Sequence, residues 1–101
     1  MSTMELKLDD ISLKNLLKSN LLFDSDWYLN NNKDVQDSGI DAVEHYLLYG
    51  WKEGRNPSFY FNNDFYIDCN SDVASSGMNP LVHYVLYGKN ERRAIRCITN
   101  R

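Results

Sequence analysis

The chain has 101 residues, enough for one modest core and too few for two independent ones. With 43% hydrophobic and 25% charged residues it has the composition of a folded globular protein, and its net charge of −3 argues against a nucleic-acid partner. No apolar run is long enough to cross a bilayer, and the stretch MSTMELKLDD lacks a basic region followed by an apolar one, so no membrane span and a cytoplasmic location are expected.

Residues 1–21 predict one short amphipathic helix. Ile11, Leu13, Leu16, Leu17 and Leu21 recur near helical spacing, Lys14, Asn15 and Lys18 fall between them, and Asp9, Asp10 or Ser12 can cap the start.

From Phe23 the chain repeats itself. FDSDWYLNNNKDVQDSGIDAVEHYLLYGWKEGR is echoed 38 residues later, without a gap, by FNNDFYIDCNSDVASSGMNPLVHYVLYGKNERR from Phe61. A fixed period of this size marks a stacked supersecondary unit, and repeat arrays expose apolar end faces that a flanking helix can cover. Repeat 1 is placed at 22–59 and repeat 2 at 60–93, with a basic tail at 94–101. All form one domain.

Each copy reads helix–turn–helix. An Asx cap (Asp24 or Asn62) opens a helix holding Tyr28 or Tyr66. The polar runs Asn30–Asn32 and Asp68–Asn70 end it, and a short turn carrying Asp34-Val35 or Asp72-Val73 runs to Gly39 or Gly77. A second helix starts at Asp41 or at Asn79-Pro80 and stops at Gly50 or Gly88, where a left-handed glycine is expected. The connector Asn56-Pro57-Ser58-Phe59-Tyr60 is short and aromatic, so it should pack rather than flex. Nothing alternates as a strand does, and the fold class is all-α.

The residues kept in both copies are first explained by the needs of the unit. His45 and His83 lie mid-helix; as structural residues each would bond a turn carbonyl or the nearby Asp34 or Asp72. No metal site is expected, because zinc wants three or four ligands and neither copy offers them at ligand spacing. Arg55 and Arg93 recur in step with Asp34 and Asp72, which suggests an arginine–aspartate clamp. Paired acids for glycoside hydrolysis are the sharper alternative, but acids duplicated at turns and caps fit structural use better. With no nucleophile motif or phosphate-cradling glycine loop, no catalytic residue and no cofactor are expected. Cys69 and Cys97 stand at non-equivalent points of the repeat and read as free thiols in a reducing compartment, with a disulfide as the alternative.

Positions that differ between copies are where a specific role could sit. Trp51 corresponds to Lys89 and Gly54 to Arg92, so Tyr49, Trp51, Arg55, Lys89 and Arg92 form the candidate binding surface. An exposed Trp51 would anchor a protein or stack on a sugar, whereas a Trp51 packed on the connector would do neither.

These residues also carry a resemblance. FDSDWYLNNNKDV…SGIDAVEHYLLYGWKEGRNPS and its echo resemble a bacterial repeat of the form FDxxWYLxxNPDV…HYxxxGxxEGRxPS. That repeat is attached to polysaccharide-building glycosyltransferases of the rhamnan-synthesis type and to some large secreted proteins. The similarity spans residues 22–93; Lys33 and Ser71 stand where the pattern has proline, and Arg92 where it has glycine. The resemblance implies an accessory, non-catalytic module, so a protein partner in polysaccharide machinery is the first expectation. Glycan binding through exposed aromatics, or a free-standing small regulator or inhibitor, are the alternatives.

Overall fold

The computed structural model describes residues 10–95. Seven α-helices follow one another: α1 (Asp10–Lys18), α2 (Ser25–Asn30), α3 (Lys33–Ser38), α4 (Ala42–Leu48), α5 (Asn63–Cys69), α6 (Ser71–Ser76) and α7 (Pro80–His83). A 3₁₀ turn, Gly50–Glu53, follows α4, and a π-helical segment, Tyr84–Gly88, continues α7. Among the described residues there is no strand, only an antiparallel bridge between Ser58 and Phe61 in the connector. The protein is all-α. Asp9, Cys97 and most of the basic tail lie outside the described residues.

Each repeat holds three α-helices, not two. The segments expected as turns around Asp34 and Asp72 are the one-and-a-half-turn helices α3 and α6. One asparagine in each copy makes the break. The Asn32 side chain donates back to the Tyr28 carbonyl at 2.8 Å, while its own carbonyl accepts from Val35 and Gln36 and starts α3. Asn70 does the same between Tyr66 and Val73. The helices end at Gly39 and Gly77, with φ of +79° and +74° as expected. The caps also fall where the side chains called for them: Asp24, Asp41, Asn62 and Asn79 each accept from a backbone N–H of the following first turn, and Pro80 takes the first helical position.

Gly50 and Gly88 differ from expectation, since neither has a positive φ. Their constraint is space. A Cβ on Gly50 would overlap the Tyr28 hydroxyl, and one on Gly88 the Tyr66 hydroxyl. The left-handed position lies four residues later, at Gly54 (φ +80°), and in the second copy it falls on Arg92 (φ +58°). A side chain there costs about 1–2 kcal/mol, partly offset by the greater unfolded-state freedom of glycine. Arg92→Gly should therefore stabilise the fold by about 1 kcal/mol in urea denaturation, the reverse of the usual effect of a new glycine.

The core is aromatic and duplicated. Phe23, Tyr28, Val35, Val43 and Tyr46 fill repeat 1; Phe61, Tyr66, Val73 and Leu81 fill repeat 2. Tyr28 meets Tyr46 edge-to-face at 5.9 Å and 89°, and Tyr66 meets Tyr84 with the same values, a favoured arrangement for two quadrupoles. Between the repeats the Tyr46 hydroxyl donates to Asn63 Oδ1 at 2.9 Å, with Asn79 Oδ1 at 3.4 Å. Asn63 in turn donates its side-chain amide to the Arg55 carbonyl and its backbone N–H to the Asn56 side-chain oxygen. Pro57 and Ser58 of the connector are buried with them. Helix α1 lies against α4: Leu17 is fully buried, and Lys14 and Lys18 approach Glu44 and Asp41 at 3.5 and 3.7 Å. Burial of Leu17 holds α1 in place, because surface ion pairs of this kind contribute little.

Candidate functional site

The polar residues shared by the copies form two equivalent clusters, each at the C-terminal end of α4 or α7. In the first, the hydroxyl of Tyr28, from α2, lies 2.8 Å from Nδ1 of His45, from α4; in the second, Tyr66 lies 2.8 Å from Nδ1 of His83. Histidine therefore bonds to a tyrosine 17 residues upstream, in place of the expected turn carbonyl or aspartate. Small glycines make this possible. Gly50 and Gly88 leave room for the phenol to reach the imidazole across the helix end.

Burial keeps both partners neutral. It pushes the Tyr28 phenol well above the ordinary tyrosine range and Tyr66 up to about 12. It also lowers His45 and His83 below the ordinary imidazole value, with Arg55 and Arg93 adding to the depression. A protonated phenol donates, so Nδ1 accepts and the imidazole proton sits on Nε2. Among the described residues this is the only hydrogen bond to either imidazole.

Arginine closes each cluster. Arg55 grips both oxygens of Asp34 at 2.9 and 2.8 Å, takes Asn32 Oδ1 at 3.1 Å, and turns its Nε to Glu53 at 2.9 Å. Arg93 repeats every contact with Asp72, Asn70 and Glu91. The clamp lies within each repeat and ties the start of α3 or α6 to the segment after the helix-ending glycine. The arginine hydrogen bonds hold Asp34 at about 2 and Asp72 below the ordinary carboxylate range. Among the described residues no group of three or more His, Cys, Asp or Glu side chains is arranged to hold a metal ion.

Neutral histidines and ionised aspartates both tie stability to pH. A His whose folded value lies below its unfolded 6.5 takes up more protons when unfolded, so its contribution is present above 6.5 and declines as pH falls below it. Asp34 and Asp72 add a second decline below their unfolded 3.8, which for Asp34 runs down to about 2. Urea unfolding across pH 8 to 3 should show two falling steps, and His45→Gln with His83→Gln should remove the upper one alone.

The candidate binding residues have different fates. Tyr49 is exposed, its ring 5.6 Å from His45, while Trp51 is mostly covered and packs on the core with the Lys52 ammonium 5.8 Å from its centroid. Arg55 is committed to its clamp. Lys89 and Arg92 are exposed. Tyr87 stands outside the candidate surface read from the sequence, yet it is as exposed as Tyr49 (52% against 53%) and packs on His83 at 5.5 Å. Its position, 38 residues after Tyr49, was the available signal.

The fold and these clusters define an all-α tandem-repeat protein. Comparison with protein-family models, with curated proteins and with solved structures found no match. Among the described residues no helix is long and apolar enough to cross a membrane.

Proposed function

We propose that the protein is a non-catalytic interaction module whose repeat scaffold presents Tyr49 and Tyr87 to a protein partner. The observation that carries this reading is the division of labour inside each cluster. His, Arg, Asp and the buried Tyr satisfy one another, while the tyrosine next to each histidine turns half its surface to solvent. Tyrosine is suited to such contacts because it adds a large, rigid, amphipathic surface at little entropic cost. The resemblance of residues 22–93 to modules of polysaccharide-building glycosyltransferases supports a partner in that machinery. The exposed Lys89 and Arg92 lie beyond Tyr87 and add positive charge to that end of the surface.

The test is a pull-down with a polysaccharide-synthesising glycosyltransferase as bait. Tyr49→Ser with Tyr87→Ser should weaken capture at least about tenfold while circular dichroism stays unchanged. Equal capture by the folded double variant overturns the proposed surface. Loss of binding to a bacterial polysaccharide in its place assigns the two tyrosines to sugar stacking.

A further inference from the structure

Most cationic side chains of this fold are already occupied. Among the described residues Lys14 faces Glu44, Lys18 faces Asp41, Lys33 donates to Gln36, and the Lys52 ammonium lies by Trp51. Arg55 and Arg93 close their clamps. Lys89 and Arg92 are the exceptions. Both are exposed, and neither side chain makes a hydrogen bond or ion pair among the described residues.

One turn carries both. The Lys89 carbonyl accepts the Arg92 N–H at 3.1 Å, directly after the exposed Tyr87. Glu91, between them, is held by Arg93 at 2.7 Å, and residues 92–101, RRAIRCITNR, contain no Asp or Glu. Arg92 also adopts the left-handed conformation, with φ +58°, that favours glycine. Its guanidinium makes no contact among the described residues that offsets this strain, and strain of that kind points to a use outside the fold.

Repeat 1 shows what this turn can face. The carboxylate oxygens of Asp64 lie 3.9 and 4.0 Å from where a Cβ on Gly54, the counterpart of Arg92, would stand. Asp64 belongs to α5, the first helix of the next unit. In repeat 1 the fold thus sets a carboxylate against the turn. In repeat 2 the turn bears two cations, and the residues that follow offer no acid.

We propose that the turn at 89–92 takes up a short run of Asp or Glu on the protein partner that Tyr87 contacts. The inference rests on the interaction-module reading and adds the partner's chemistry and its direction. The acidic run lies at the repeat 2 end, because the counterparts Trp51 and Gly54 give Tyr49 no matching charge. Arginine offers a carboxylate paired donors, and lysine adds a second positive charge. A long polyanion such as nucleic acid is disfavoured, since a chain of net charge −3 repels it; a short acidic run meets only the local patch.

Fluorescence anisotropy of the full chain with a labelled peptide of alternating Glu and Ser, and with its Gln-Ser counterpart, tests this. The acidic peptide should bind at least about tenfold more tightly than the neutral one at low salt, and the difference should fade as salt is raised. Lys89→Gln with Arg92→Gly should weaken the acidic peptide at least about tenfold, and loss of fold does not confound it, because Arg92→Gly relieves strain. Lys33→Gln with Lys52→Gln removes the same charge elsewhere and should leave binding within about twofold. Equal weakening in the two double variants overturns the inference, as does an acidic peptide that binds no better than the neutral one. Tighter binding to vesicles of anionic phospholipid than to the acidic peptide also overturns it. In the glycosyltransferase pull-down, capture retained by Lys89→Gln with Arg92→Gly but lost by Tyr49→Ser with Tyr87→Ser refutes the acidic contact and leaves the tyrosine surface standing.

Discussion

Gly50→Ala and Gly88→Ala are each expected to destabilise the protein by about 2–4 kcal/mol, the largest effect of any single-methyl change. At an open site with negative φ the opposite sign holds, because alanine stiffens the unfolded chain and gains about 0.5–1 kcal/mol over glycine. Here φ is negative, so backbone freedom is not the issue. The new methyl would overlap the Tyr28 or Tyr66 hydroxyl, which is held in place by the histidine on one side and by core rings on the other. Relief requires moving a buried ring or breaking the phenol–imidazole bond. Urea denaturation followed by circular dichroism measures the sign directly.

The second large effect is expected at Tyr46. Its ring is fully buried, packs on Phe23 and Tyr28, and carries the hydroxyl that reaches Asn63 and Asn79. Tyr46→Ala removes the ring and should cost about 4 kcal/mol, a large share of what a domain of this size has in total. Tyr46→Phe keeps the ring and leaves the Asn63 and Asn79 oxygens without their shared donor; about 1–3 kcal/mol is expected. Amide hydrogen exchange separates two outcomes. If the repeats form one cooperative body, Tyr46→Phe lowers protection in α2 and α5 equally. Repeats that fold independently would lose protection only in repeat 1.

Much of this architecture was legible in the chain. The 38-residue period, the Asx caps and the left-handed glycines at 39 and 77 follow from local chemistry, and each appears where the side chains call for it. The pairing of Arg55 with Asp34 was also legible, since both recur in step. Three features were not. Helix α3 carries a single core residue, Val35, so no apolar stripe announces it; its start depends on the two-way bonding of Asn32, which a sequence shows only as a helix breaker. The role of Gly50 is set by a phenol 22 positions away in the chain, a contact that no local rule contains. The histidine partner lies beyond local reach in the same way. The sequence offers His45 a turn carbonyl or Asp34 as partner, whereas the fold brings up Tyr28 from α2 and leaves Asp34 to arginine. Exposure of Tyr49 and coverage of Trp51 depend on which side of the helix end faces the connector, and two aromatics two residues apart look alike in a sequence.

The most direct measurement is a four-protein comparison of wild type, Gly50→Ala, Tyr28→Phe and the double variant by equilibrium unfolding. If the duplicated residues are interlocking parts of a scaffold, Tyr28→Phe alone costs about 1 kcal/mol, and adding it to Gly50→Ala restores stability by clearing the space the methyl needs. A double variant as unstable as the sum of the two singles would contradict that account.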